Sequence, residues 1–199
     1  MELIQPIFVN QSGSTREAGL GIANSSYSQT DIIERIQKDV DLGIDSFLLF
    51  ITPDTKTWLP TWDFQAEVVN KIKNKFPTIQ LIVDVCLCST LPDGHCRVID
   101  KPDTSESLLI DLGRKLETAG ADVLAPSDMG DNTVTNLKQE TKKEVMAYVK
   151  WRSVFYSSFR ELANSNPSSE RTYQMNIKNE WDATGTAQDR KSGSAGMPR

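Results

Sequence analysis

The sequence predicts an α/β protein built on a parallel sheet, and three observations carry that prediction. Strand-like and helix-like segments alternate four times with short connections, the order that successive βα units produce. The strand-like segments are unbroken apolar runs such as Ser46-Phe47-Leu48-Leu49-Phe50-Ile51, the pattern of a strand covered on both faces. Polar or charged residues then recur where these runs end: Asp84, Ser127 with Asp128, and Lys150. In a closed βα barrel the C-terminal strand ends meet on one face, and that face carries the chemistry.

The elements follow in order. Residues 1–9 read as a short extended arm through Leu3-Ile4-Gln5-Pro6-Ile7-Phe8-Val9, and 10–27 as a polar loop rich in Gly, Ser and Asn. A helix is expected from Ser28, where Ser28 and Asp31 have the spacing of a helix-start signal. Ile32, Ile33, Ile36 and Val40 give it a core face, and Gly43 stops it. After the strand at 46–51 comes a loop with two prolines over 52–61. A second helix is expected over 62–76, closed by Pro77. The strand over 79–85 delivers Asp84 and the first cysteines. A long loop, 88–103, precedes a helix carrying Leu108, Leu109, Leu112 and Leu116, which Gly120 ends. A third strand over 121–126, a short helix near 132–142, a fourth strand over 144–149 ending on Lys150, and a helix over roughly 153–164 complete the pattern. The last stretch, 177–199, has no apolar period and reads as a disordered tail. The organisation is therefore an arm and loop (1–27), a partial βα barrel (28–176) and a tail.

A chain of 199 residues suffices for one domain with a real core. A net charge of −5 without a basic block argues against a nucleic-acid partner. The apolar start is too short and interrupted for a signal peptide or a membrane span. Three closely spaced cysteines do not form a disulfide framework. The expected compartment is the cytosol.

The chemistry concentrates at Asp84-Val85-Cys86-Leu87-Cys88, followed by Gly94-His95-Cys96. All three cysteines and the single histidine fall within eleven residues. Three thiolates at short range suit Zn2+. Cys96 can return to the Cys-x-Cys pair after a turn through Pro92, Asp93 and Gly94. Three protein ligands leave a fourth position open, the layout of a catalytic zinc. The plainer reading is three reduced thiols that happen to be neighbours, with His95 a supporting group or a simple loop residue. Lys150 could form a Schiff base with a ketone if its pKa is lowered by burial beside Trp151 and by Arg152 or Arg160; a lysine reaching solvent is the bland alternative. Arg160 could fork onto a carboxylate or be an exposed helix arginine.

These residues resemble the porphobilinogen synthase (5-aminolevulinate dehydratase) family at several points in the right order. The N-terminal Leu3-to-Val9 segment is similar to that family's arm, and the cysteine cluster to its zinc motif. Gly120-Ala121-Asp122-Val123-Leu124-Ala125-Pro126-Ser127-Asp128-Met129 is similar to a further signature. So are Lys150 with Phe155-Tyr156 and Phe159-Arg160, and Arg171-Thr172-Tyr173-Gln174-Met175. The resemblance implies a (βα)8 TIM barrel, of which the first four or five βα units are present, and an arm used in homo-octamer assembly. It implies a hydro-lyase that condenses two 5-aminolevulinate molecules to porphobilinogen on the way to haem and other tetrapyrroles. By position, Cys86, Cys88 and Cys96 hold the zinc and Lys150 is the first of two active-site lysines. Asp84, Ser127, Tyr156, Arg160, Arg171 and Gln174 line the substrate pocket. After Lys150 the chain has only Lys178 and Lys191, neither in a strand-like run. The expectation is thus a C-terminally truncated family member that builds half of a two-substrate site. Two other readings compete: an inactive relative that binds zinc or joins an oligomer of full-length subunits, and an unrelated Schiff-base aldolase, for which only Lys150 speaks.

Overall fold

Successive side chains of a strand point to opposite faces, and here both sets are apolar, so both faces of the sheet need cover. The computed structural model, which describes residues 3–17, 25–130, 132–147 and 158–174, shows how each is covered. The strands are β1 (Gln5–Asn10), β2 (Arg16–Glu17), β3 (Ser25–Ser28), β4 (Ser46–Thr52), β5 (Gln80–Val85), β6 (Val123–Pro126) and β7 (Glu144–Val145). They form one sheet in the order β2-β3-β1-β4-β5-β6-β7. Every neighbouring pair is parallel except β2 with β3. The helices are α1 (Asp31–Asp41), α2 (Asp63–Lys75), α3 (Pro102–Ala119), α4 (Thr133–Glu140) and α5 (Ser158–Leu162). From β1 through β4 to β7 the strands lie side by side in chain order, with a helix after each, as in the wall of a βα barrel.

One face of this wall is layered by helices. Ile7, Val9, Phe47, Leu49, Leu81, Val83 and Leu124 form a continuous core with the apolar stripes of α1 to α4. The alternate residues turn the other way. Phe8 and Phe50 stack with ring centroids 5.0 Å apart, and Phe159 meets them edge-on at 5.3 and 5.0 Å. Leu162 and Ala163 complete that cluster, and Ile82, Val123 and Ala125 form a smaller one beside it. α5 therefore covers the face opposite α1 to α4. At the other end of β5, the Asp122 carboxylate accepts from Leu81 N–H and from Lys73 Nζ, both at 2.8 Å.

Two expectations are corrected. The N-terminal segment is extended but is no arm: β1 lies inside the sheet, in register from Gln5↔Phe47 to Asn10↔Thr52 with β4 and from Phe8↔Ser26 to Asn10↔Ser28 with β3. Ile7, Phe8 and Val9 are each buried, the middle one on the opposite face from the other two, which a free arm would not achieve. Residues 25–27, expected as loop, and Ser28, expected to start a helix, form β3. Ser25, Ser26 and Ser28 carry no strand propensity; the segment pairs with β1 and β2, and the Asn10 side-chain amide adds bonds to Ser26 O at 2.8 Å and Ser26 Oγ at 3.1 Å.

The other boundaries fall close to expectation. Asp31 N–H donates to Ser28 Oγ at 3.1 Å, so the Ser28–Asp31 signal operates although α1 proper begins at Asp31. α2 starts one residue late because Trp62 takes a left-handed conformation, φ 62°. Gly120, at φ 108°, ends α3 as expected. Of the fourth expected strand, residues 144–147 are described and Glu144–Val145 are strand; of the last expected helix, 158–164 are described and Ser158–Leu162 are helical. Lys150, Tyr156 and the 177–199 tail lie outside the described residues.

Candidate metal centre

β5 fixes the site. Ile82 and Asp84 alternate with Leu81, Val83 and Val85, which face the helices, so Asp84 is directed to the face that α5 covers. Cys86 follows two residues later. Asp84, Cys86 and Cys88 line one cavity together with Thr52, Ser89 and Phe159. Beyond Cys88 the chain turns tightly: Thr90 and Leu91 N–H both donate to Leu87 O at 2.9 and 2.8 Å, and Gly94 N–H donates to Leu91 O at 3.1 Å. His95 N–H then donates to the Asp93 carboxylate at 3.0 Å. This turn returns Cys96 to the pair. The three Sγ atoms lie within 4.8 Å of one another, with Cys86 and Cys88 3.3 Å apart, and all three residues are buried.

The donor set fits a thiophilic divalent ion. A zinc–sulfur bond is about 2.3 Å, which puts tetrahedral sulfur ligands roughly 3.8 Å apart. Burial pushes the Cys86 thiol well above its usual range, and its neighbours Cys88 and Cys96 push it further. Three buried thiols lose their protons together only when a cation compensates the charge.

A second segment closes over this loop. After α5, Ser165 N–H donates to Arg160 O at 2.9 Å and Ser168 N–H to Asp93 O at 2.8 Å. Arg171 sends one guanidinium nitrogen to both Gly94 O and Ser165 O at 2.6 Å. The Tyr173 hydroxyl accepts from Cys96 N–H at 2.9 Å and lies 3.2 Å from His95 Nδ1, while His95 Nε2 lies 3.0 Å from Ser169 Oγ. Gln174 Nε2 reaches Cys96 Sγ at 3.7 Å. Burial, then the proximity of Cys96, raises the Tyr173 pKa and keeps the phenol protonated. Arg160 is buried, and burial together with the charge of Arg171 lowers its pKa. Burial works against the charge of Arg171 as well, but Cys96, Cys88 and Cys86 outweigh it and its pKa rises.

Most of the residues expected at the site meet here. Asp84, the three cysteines, Arg160, Arg171 and Gln174 surround one region, and Ser127 is tied to it by its N–H donating to Val85 O at 3.2 Å. Asp128, beside Ser127, is fully buried and accepts from Gly130 N–H and Thr133 Oγ1, both at 2.8 Å, with Arg97 3.9 Å away. Arg171 differs from expectation in its bonding: the hydrogen bonds of its guanidinium go to two backbone carbonyls. Sequence reasoning gave no role to Tyr173 or Ser169, nor to Arg97, whose guanidinium lies 5.5 Å over the Tyr173 ring. It also missed Lys56, half-buried in the loop after β4 and lowered in pKa chiefly by burial. Their partners lie tens of residues away, so local spacing carries no signal for them.

The family model described as "Delta-aminolevulinic acid dehydratase" matches residues 1–197. The delta-aminolevulinic acid dehydratase of Bacillus subtilis (strain 168) is 32% identical over 206 residues, covering 94% of this chain and 64% of that protein. Its counterpart from Halalkalibacterium halodurans is 31% identical, covering 92% and 61%. Among solved structures, delta-aminolevulinic acid dehydratase (porphobilinogen synthase) from Toxoplasma gondii ME49, in complex with the reaction product porphobilinogen, matches with a TM-score of 0.87 at 26% identity. That match covers 96% of this chain and 61% of the other, so the chain spans under two-thirds of the length of these relatives. By its match along nearly the whole sequence, the chain belongs to the delta-aminolevulinic acid dehydratase family.

Proposed function

We propose that this protein is a porphobilinogen synthase, joining two 5-aminolevulinate molecules with loss of water. One observation carries the reading: in a member of this family, three buried thiols converge at the end of β5 beside two buried arginines. Cys86, Cys88 and Cys96 would hold a zinc ion, which would supply a Lewis acid to polarise a substrate group. Asp84, on the same sheet face, orients the substrate amine. Arg160, buried near the cysteine loop, neutralises a substrate carboxylate. Ser127, Tyr156, Arg171 and Gln174 complete the pocket wall. Lys150 attacks the ketone of one substrate, and its nitrogen replaces the carbonyl oxygen, which leaves as water. Joining two small molecules in one orientation is where such a site gains most of its rate. A cytosolic homo-octamer is the assembly that goes with this reading.

The test is borohydride trapping. The purified protein, incubated with 5-aminolevulinate and reduced, is expected to carry the adduct mass on the peptide containing Lys150, and Lys150→Ala is expected to lose it. An adduct on another lysine, or none, removes Lys150 from the mechanism. A pyrrole colour reaction on the same mixture reports product.

A further inference from the structure

The segment 165–174 and the loop 93–96 are joined more densely than a passive cover requires. Gly94 sits at φ 68°, and a Cβ there would lie 2.1 Å from the Asn166 carbonyl oxygen, so the two backbones are in direct contact. Asp93 O, Gly94 O and Cys96 N–H are each bonded to this segment, through Ser168, Arg171 and Tyr173. The Tyr173 hydroxyl makes the one of these bonds that falls on a cysteine's own backbone nitrogen. Its oxygen accepts from Cys96 N–H and lies within hydrogen-bond distance, 3.2 Å, of His95 Nδ1, while His95 Nε2 lies 3.0 Å from Ser169 Oγ. The ring is held from the side by Arg97. Gln174, the next residue, touches the Cys96 sulfur itself.

Resting on the reading of the three thiols as a metal centre, we propose that Tyr173, oriented by His95 and Ser169, is a positioning residue that fixes Cys96 for the metal and thereby makes closure of residues 165–174 depend on metal occupancy. The physical case is reciprocity. If the closed segment places Cys96 for the ion, the ion must favour the closed segment by the same factor. Cys86 follows β5 directly and Cys88 lies in the tight turn just beyond it, whereas Cys96 lies at the far end of that loop. Its position depends on what grips the loop, and Tyr173 grips it at the ligand's own backbone nitrogen.

The test uses the full chain and Co2+ as the probe, because its absorption bands report both thiolate ligation and geometry. Tyr173→Phe keeps the ring and removes the hydroxyl; it is expected to weaken Co2+ binding by about 10–100-fold, the usual effect of losing a group that orients a ligand, and to shift the ligand-field bands. Ser169→Ala is expected to weaken binding in the same direction by less, and Ser169→Thr, which keeps the hydroxyl, to restore it. Hydrogen exchange supplies the second readout: Co2+ is expected to slow exchange of the 165–174 amides in the wild type and not in Tyr173→Phe. Should Tyr173→Phe fail to fold, the Ser169 pair and the wild-type exchange data decide the matter. Wild-type affinity and spectrum in both Tyr173→Phe and Ser169→Ala would overturn the inference while leaving the metal centre intact, as would exchange at 165–174 that ignores the metal. A wild type that binds no Co2+ would instead remove the metal centre, and this inference with it.

Discussion

Gly94 shows how much a single position decides. Its φ of 68° belongs to the left-handed region, and the space where a side chain would begin is filled by the Asn166 carbonyl. Gly94→Ala is expected to cost about 1–2 kcal/mol for the backbone conformation alone, and more for displacing residue 166. Urea unfolding measures the total. An unchanged midpoint would mean that residues 166–167 withdraw freely, and the contact between the two segments would then be weak. Gly120, also at positive φ, has only the flexible Lys73 side chain nearby, at 3.4 Å. Its substitution tests backbone strain without a collision, and so serves as the natural control.

Among the elements, α5 is the unusual one. α1 to α4 continue the helical layer of the sheet, whereas α5 packs through Phe159, Leu162 and Ala163 on the opposite face. That placement brings Arg160 to the cysteine loop and lets residues 165–174 run across it. The anchor is the three-ring cluster of Phe8, Phe50 and Phe159. Truncating a fully buried phenylalanine costs about 3–5 kcal/mol; Phe159 is partly buried, so Phe159→Ala is expected to cost roughly 2–3. Hydrogen exchange should speed up at 159–165 and 168–174 well before it does in β4 and β5. Uniform acceleration through the sheet would contradict an anchor confined to α5.

On the scale of the molecule, the cysteine cluster brings together parts that the chain leaves far apart. An ion on Cys86, Cys88 and Cys96 would tie the end of β5 to the loop after it and, through Tyr173 and Gln174, to residues 165–174. Binding that favours the folded state by mass action adds about 2.7 kcal/mol at a free concentration 100 times the Kd. For a chain of this size that is a rise in melting temperature of roughly 5–10 °C. Thermal melts with zinc and with a chelator, on wild type and on Cys88→Ser, are the check. The expected outcome is a zinc-dependent shift in the wild type and none in the variant. Equal shifts in both would mean that zinc acts elsewhere on the protein.

What the sequence determined by itself is whatever neighbours along the chain can specify. Unbroken apolar runs placed β4, β5 and β6, helical spacing placed α1 to α3, and Gly43 and Gly120 placed two helix ends. The cysteines were legible as one cluster because two follow the end of β5 within three residues and the third returns through a short Pro-Asp-Gly turn. Tertiary structure alone decided where β1 belongs, since an isolated extended apolar segment looks the same as an arm or as a central strand until its partners β3 and β4 are known. It alone made a strand of Ser25–Ser28, through pairing with β1 and β2. It alone set α5 on the far face of the sheet and brought Tyr173 to Cys96, 77 positions away in the sequence. Local propensity acts over a few residues, and strand pairing, face selection and the grip on a metal loop are contacts between segments that only the folded chain brings together.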